Sequence, residues 1–245
     1  MARQKIRTRK IDQRFRPPVA GVDLEQALNY LDLDAAGENF LYEHYTAARL
    51  AYRRGSRPVL EQIAGQITAG VEAPLERIQS LARYVAEEIP WAGYYRKATG
   101  KLLAPDRGMT EEEIVKSGYG WCMEQARVFC ALTQIIGISS RLIFAGNPDK
   151  KYGHVLSEVY LPEGWMAVDQ SFGLCFRMNN EPVAAARLRD NPEARAHFDL
   201  FYREAAAKMI NEIGGENLET DFRMLLSDHP IDGFDQIGFC NHFIQ

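Results

Sequence analysis

The stretch Gly118–Ile138, GYGWCMEQARVFCALTQIIGI, passes from a glycine-flanked loop into a helical run at a cysteine, Cys122, and the run closes at Gly137. The amide groups of a first helical turn have no intrahelical partner, and their partial positive charge favours thiolate over thiol. The position therefore suits a nucleophile. It suits equally a small buried apolar side chain, a role cysteine often fills. Partners elsewhere in the chain must choose between the two.

Downstream the pattern changes from helical to β. Ser139–Ala145 (SSRLIFA), His154–Leu161 (HVLSEVYL) and Trp165–Ser171 (WMAVDQS) read as strands, the last two joined by a turn at Pro162-Glu163-Gly164. With Pro162 and Glu163 at the tip, Leu161 faces Gly164, His154 faces Ser171 and Leu156 faces Asp169. Opposed residues share a face and side chains alternate, so His154, Leu156, Asp169 and Ser171 point the same way. His154 and Asp169 are then diagonal neighbours, roughly 7–8 Å apart at the backbone, within reach of a hydrogen bond. A slip by one residue would send Asp169 to the other face.

Upstream the chain reads as helical. Asp23 caps LEQALNYL, ENFLYEHYTAARLAYRRG closes at Gly55, and PVLEQIAGQI begins at Pro58. Leu75, Ile78, Ala82, Val85 and Ile89 form one apolar face of a helix from Pro74 to just before Pro90. Trp91–Met109 has no clean period and reads as loop, and EEEIVKSG as one or two helical turns. The C-terminal part returns to helix, most clearly at Phe198–Gly215.

Composition bounds the function. The chain has 245 residues, 46% hydrophobic and 25% charged, with net charge -4, the balance of an ordinary globular protein and not of a general nucleic-acid binder. No stretch approaches the roughly 20 apolar residues needed to span a bilayer, and the N-terminus lacks the apolar core of a secretory signal, so a cytoplasmic protein with no membrane or nucleic-acid partner is expected. The arm through Arg16 carries seven basic residues against Asp12 and reads as solvated. Cys122, Cys130, Cys175 and Cys240 form neither a disulfide framework nor a CxxC zinc pair, and Asn147 and Asp149 offer too few oxygens for calcium. No metal and no cofactor is expected.

Of five histidines, His44 lies on a stripe with Phe40, Ala47 and Ala51, a packed position, and His197, His229 and His242 have no acid or turn arranged around them. His154 has Asp169. A nucleophile needs a base, and the base needs a group to hold its orientation, so Cys122, His154 and Asp169 form a candidate set in that chain order.

These residues resemble the core of the transglutaminase-like superfamily of papain-fold cysteine enzymes. The likeness rests on GYGWCMEQARVFCALTQIIGISSRLIFAG and GHVLSEVYLPEGWMAVDQSFG, including Ala126 one turn after Cys122, and extends weakly upstream to ERIQSLARYVAEEIPW. It implies an α+β papain-like core: the nucleophile helix packed on an antiparallel sheet, with extra helices at both ends. It also implies that Cys122 is the nucleophile, His154 the general base and then acid, and Asp169 the carboxylate that orients it. The implied reaction is acyl transfer through a thioester on a protein, peptide or small amide, by hydrolysis or transamidation. The Cys122 amide would be one oxyanion donor. Trp91, the nearest upstream indole apart from Trp121, is the candidate for a second, or else a packing residue. Trp121 either walls the acyl site or packs under the sheet.

The expected organisation is a basic flexible arm at 1–22, a helical extension at 23–70, a catalytic core at 71–175 and a mainly helical extension at 176–245. Two other functions compete. Cys122-Met123-Glu124 resembles the Cys-x-Glu of arylamine acetyltransferases, whose arginine-glycine-glycine lead-in is replaced here by GYG. The fold could also serve as a non-catalytic binding module if the flanking segments close the cleft. Cys130 and Glu158 read as a core and a solvated residue.

Overall fold

The computed structural model describes residues 8–10, 29–32, 52–92, 108–147, 152–194 and 236–240. Strands β1 (Thr8–Lys10) and β2 (Asn29–Asp32) precede helices α1 (Pro58–Ile67), α2 (Pro74–Glu88), α3 (Glu111–Ser117) and α4 (Cys122–Ile135). Strands β3 (Ser140–Asn147), β4 (Tyr152–Leu161), β5 (Gly164–Asp169) and β6 (Leu174–Cys175) follow. A short hairpin of β7 (Arg177–Met178) and β8 (Glu181–Pro182), helix α5 (Ala185–Asp190) and strand β9 (Gln236–Cys240) complete the elements.

Local chemistry sets the helix boundaries. Pro58 and Pro74 open α1 and α2, where a missing amide hydrogen costs nothing. Helix α2 buries Ile78, Leu81, Ala82 and Val85 along one stripe. Thr110 caps α3 reciprocally: its hydroxyl accepts from the Glu113 amide at 3.3 Å, and Glu113 Oε2 accepts from the Thr110 amide at 2.7 Å. Gly118 stops that helix at φ 71°, a left-handed conformation that glycine adopts without penalty.

The main sheet runs β1-β2-β9-β3-β4-β5-β6 with every pairing antiparallel. In the β4–β5 hairpin Leu161 pairs with Gly164 and Ser157 with Val168, the register set by a Pro162-Glu163 tip. Helices α1, α2, α3 and α4 pack Leu60, Ile78, Leu81, Val85, Ile114, Phe129 and Leu132 against Val159, Met166 and Val168 of the sheet. The result is an α+β fold with the cysteine helix on an antiparallel sheet.

Three elements depart from the sequence expectations. Asn29–Asp32, which overlaps the last three residues of the run expected as a capped helix, is a strand held between β1 and β9, where pairing on both edges overrides a short helical period. Thr8–Lys10, within the arm expected to be solvated, pairs with it. Gln236–Cys240 joins the sheet beside β3, although the C-terminal part was expected to be mainly helical. After Phe176 the described residues otherwise form the β7–β8 hairpin and α5. The expected helix at Phe198–Gly215, most of the one ending at Gly55, and most of the Trp91–Met109 loop lie outside the described residues.

Candidate active site

Cys122 is the first residue of α4, and Trp121 is its cap, with the Trp121 amide donating to Glu124 Oε2 at 3.1 Å. The loop before it is pinned to the end of α2. Gly120 donates from its amide to the Pro90 carbonyl at 3.2 Å and accepts from the Ala92 amide at 2.7 Å. A Cβ on Gly120 would lie 2.8 Å from the Glu124 Cβ, closer than real Cβ atoms come, so this approach demands glycine. The bridge brings Trp91 against Trp121, with ring centroids 5.0 Å apart and edge-on at 78°. Trp91 and Trp121 therefore both border the start of the cysteine helix.

His154 lies near the beginning of β4 and Asp169 ends β5, diagonal to each other in the observed register. Their side chains meet, with Nε2 of His154 2.8 Å from Oδ2 of Asp169. The other carboxylate oxygen accepts from the Ser171 amide at 3.0 Å, so a buried acid is held at both ends. Cys122 is brought toward the same imidazole, since Gln170 Nε2 donates both to the Cys122 carbonyl at 3.3 Å and to the carbonyl of Val155, the residue after His154, at 2.9 Å. Burial acts against protonation of the ring, but the charge and hydrogen bond of Asp169, then Cys122, outweigh it and lift His154 to about 10. His154 and Asp169 are thus in direct contact, and Cys122 stands close enough to bias the same ring.

Polar contacts unforeseen in the sequence tie these elements together. Ser171 donates its hydroxyl to Gln125 Oε1 at 2.6 Å, and Gln125 Nε2 donates to the Ile89 carbonyl at 2.8 Å. Gln170 reaches the Cys122 carbonyl. The available signal was adjacency, since both residues follow Asp169 directly.

Cys130 is core: burial raises its thiol to about 11 against weak opposition from Ser157 and Ser140. Burial likewise lifts Cys175 to about 12 despite the neighbouring Arg177 charge. Cys122 and Cys175 are free thiols, so no disulfide joins them. Glu158 is not solvated. It is fully buried in an ion pair with Arg141, because the opposing strand places that guanidinium directly across from it. His44, His197, His229 and His242 lie outside the described residues, as do Asp149 and the side chain of Asn147. Among the described residues no group of three or more His, Cys, Asp or Glu could hold a metal ion, and no helix is long and apolar enough to cross a membrane.

Residues 61–170 match the family model of the transglutaminase-like superfamily. The matched segment runs from within α1 to the residue after β5 and contains Cys122, His154 and Asp169. Among curated proteins none matches the chain. Among solved structures, a candidate cysteine protease from Cytophaga hutchinsonii is similar at 17% identity and TM-score 0.38, over 66% of this chain and 48% of that one. The periplasmic domain of TgpA from Pseudomonas aeruginosa is similar at 17% identity and TM-score 0.38, over 50% of this chain and 45% of that one. A candidate protease from Parabacteroides distasonis is similar at 12% identity and TM-score 0.35, over 51% of this chain and 28% of that one. The chain spans less than half the length of each of these structures.

Proposed function

We propose that the protein is a cysteine-dependent acyl-transfer enzyme acting on an amide of a protein, peptide or small molecule through a thioester. The observation that carries this reading is the His154–Asp169 hydrogen bond at 2.8 Å, with the start of the cysteine helix tied beside it through Gln170. His154 accepts the Cys122 thiol proton, and the sulfur attacks the carbonyl carbon. The carbonyl π electrons move to oxygen, where the Cys122 amide, at a helix start, is a natural donor. His154 then gives its proton to the departing amine as the C–N bond breaks, leaving a thioester. Water or a second amine attacks the thioester carbon, gives a proton to His154 and releases the thiol, completing hydrolysis or transamidation. Trp91 is the proposed second oxyanion donor, and Trp121 the wall of the acyl site.

The test is alkylation of each cysteine across pH, resolved by peptide mass spectrometry, in the wild type and in His154→Ala. Cys122 is expected to react at about pH 6, below the ~8.5 of a free thiol, and the variant to lose that reactivity. Cys130 and Cys175, whose thiols burial keeps protonated, are expected to stay unmodified. A Cys122 that is as inert as Cys130 would overturn the enzymatic reading in favour of a binding module.

A further inference from the structure

Gln170 is fully buried between the orienting carboxylate and Ser171, and its carboxamide makes three hydrogen bonds. Oε1 accepts from the Ser157 hydroxyl at 3.1 Å. Nε2 donates to the Val155 carbonyl at 2.9 Å and to the Cys122 carbonyl at 3.3 Å. Cys122 is the nucleophile position, and Val155 is the residue after His154. One amide nitrogen therefore ties the backbone of the first to the backbone beside the second, across two elements 48 and 15 residues away in sequence.

The orientation of that carboxamide is fixed by its partners. The Cys130 thiol lies 3.6 Å from Ser157 Oγ as its donor, which turns the Ser157 hydroxyl proton toward Gln170 Oε1. Flipping the amide would set its oxygen against the Val155 and Cys122 carbonyl oxygens, with no donor between them. Both hydrogens of Nε2 are committed to carbonyls, so the group is at its donor capacity. Buried partners left without it would cost more than the bond is worth, and a low-dielectric network resists distortion.

We propose that Gln170 is a positioning residue that sets the separation of the Cys122 thiol from the His154 ring. The inference rests on the catalytic reading of Cys122 and His154. A carbonyl in the first turn of α4 moves with the whole helix start, so a tether on Cys122 O fixes the thiol, while the tether on Val155 O fixes the strand that presents the imidazole. Asp169, Gln170 and Ser171 thereby hold three different parts of the site: the ring, the start of the cysteine helix and, through Gln125, the Ile89 carbonyl ahead of Trp91.

The variants Gln170→Met and Gln170→Glu test this by the rate–pH profile of Cys122 alkylation, with thermal unfolding as the control for the fold. Gln170→Met keeps the volume and removes both donors; its alkylation rate at about pH 6 is expected to fall about tenfold, with the rate at high pH, where the thiol ionises unaided, unchanged. Gln170→Glu, with an acceptor facing two carbonyl oxygens, is expected to lose more. Ser157→Ala leaves the donors but frees their orientation, and is expected to shift the profile in the same direction by less; it serves where the Gln170 variants do not fold. A wild-type profile in Gln170→Met and Ser157→Ala, whatever their unfolding temperature, would overturn the positioning role and leave the catalytic reading intact. A wild type without low-pH reactivity would overturn both.

Discussion

Strand β4 carries two buried charged pairs on one face, His154 with Asp169 near one end and Arg141 with Glu158 further along. They share a strand and comparable distances, 2.8 Å and 2.6 Å, yet they are built differently. Arg141 and Glu158 stand directly opposite each other on β3 and β4, with neither side chain exposed. The Arg141 guanidinium carbon lies 3.7 Å over the Trp165 ring, and Glu158 Oε1 accepts from the Ala185 amide at the start of α5 at 2.7 Å. His154 and Asp169 meet on a diagonal, and the ring keeps 7% of its surface open beside a partly exposed thiol. An arginine pair cannot titrate at neutral pH, whereas an imidazole pair can. Sealing makes the first a strut, and the opening beside a thiol makes the second usable for proton transfer.

The largest effect is expected at the strut. Glu158→Gln leaves the Arg141 charge buried without its counter-ion and weakens the acceptor for Ala185, which should cost about 3–5 kcal/mol of unfolding free energy. Urea unfolding measures it. In the folded fraction, low-pH alkylation of Cys122 should persist, because the Arg141 pair does not touch the ring. A variant as stable as the wild type would break the comparison from this side.

A smaller effect, of the opposite kind, is expected at Asp169→Asn. The amide keeps a hydrogen-bond acceptor for His154 but removes the negative charge that raises the ring. Cys122 reactivity at about pH 6 should fall on the order of 10²-fold. Unfolding free energy should change less than in Glu158→Gln. Reactivity equal to the wild type would mean that orientation alone, without charge, prepares the pair.

The sequence carried the first pair and hid the second. Pro162-Glu163 fixed the hairpin tip, period-two alternation did the rest, and the observed pairing of Leu161 with Gly164 put His154 and Asp169 in reach. Cys122 at a glycine-to-helix junction and the proline starts at Pro58 and Pro74 were equally local signals. Glu158 looked solvated because its partner comes from another strand, and no spacing within β4 announces a guanidinium across from it. Gln125, Gln170 and Ser171 act through side-chain contacts up to 48 residues apart, which leave no period to detect. Strands β2 and β9 pair from near opposite ends of the chain, and nothing local to Asn29–Asp32 signals a partner at Gly238–Cys240.

The last test asks whether only one of the two pairs titrates. The folded ring at about 10 stands above the ~6.5 of an unfolded histidine, so between those values the folded ring holds a proton that the unfolded one has released; in the wild type that proton is exchanged for the one a reactive Cys122 gives up, so the test is made in Cys122→Ser, where Asp169 still raises the ring. The contribution is complete below pH ~6.5 and is lost as pH rises through the folded value, with a limiting slope of ~1.4 kcal/mol per pH unit. Cys130 and Cys175, raised to about 11 and about 12, add the same sign of slope once unfolded thiols ionise, so the interval from about pH 7 to 8 isolates the histidine. Urea unfolding at those two pH values should show Cys122→Ser losing roughly 1 kcal/mol, and the same variant with His154→Gln or Asp169→Asn added losing much less. Glu158→Gln added to Cys122→Ser should keep that slope on a lower baseline, because its arginine partner holds its proton throughout. A flat Cys122→Ser would mean that the imidazole is neutral in the fold, and the contrast between a strut and a titrating pair on one strand would collapse into two structural contacts of different exposure.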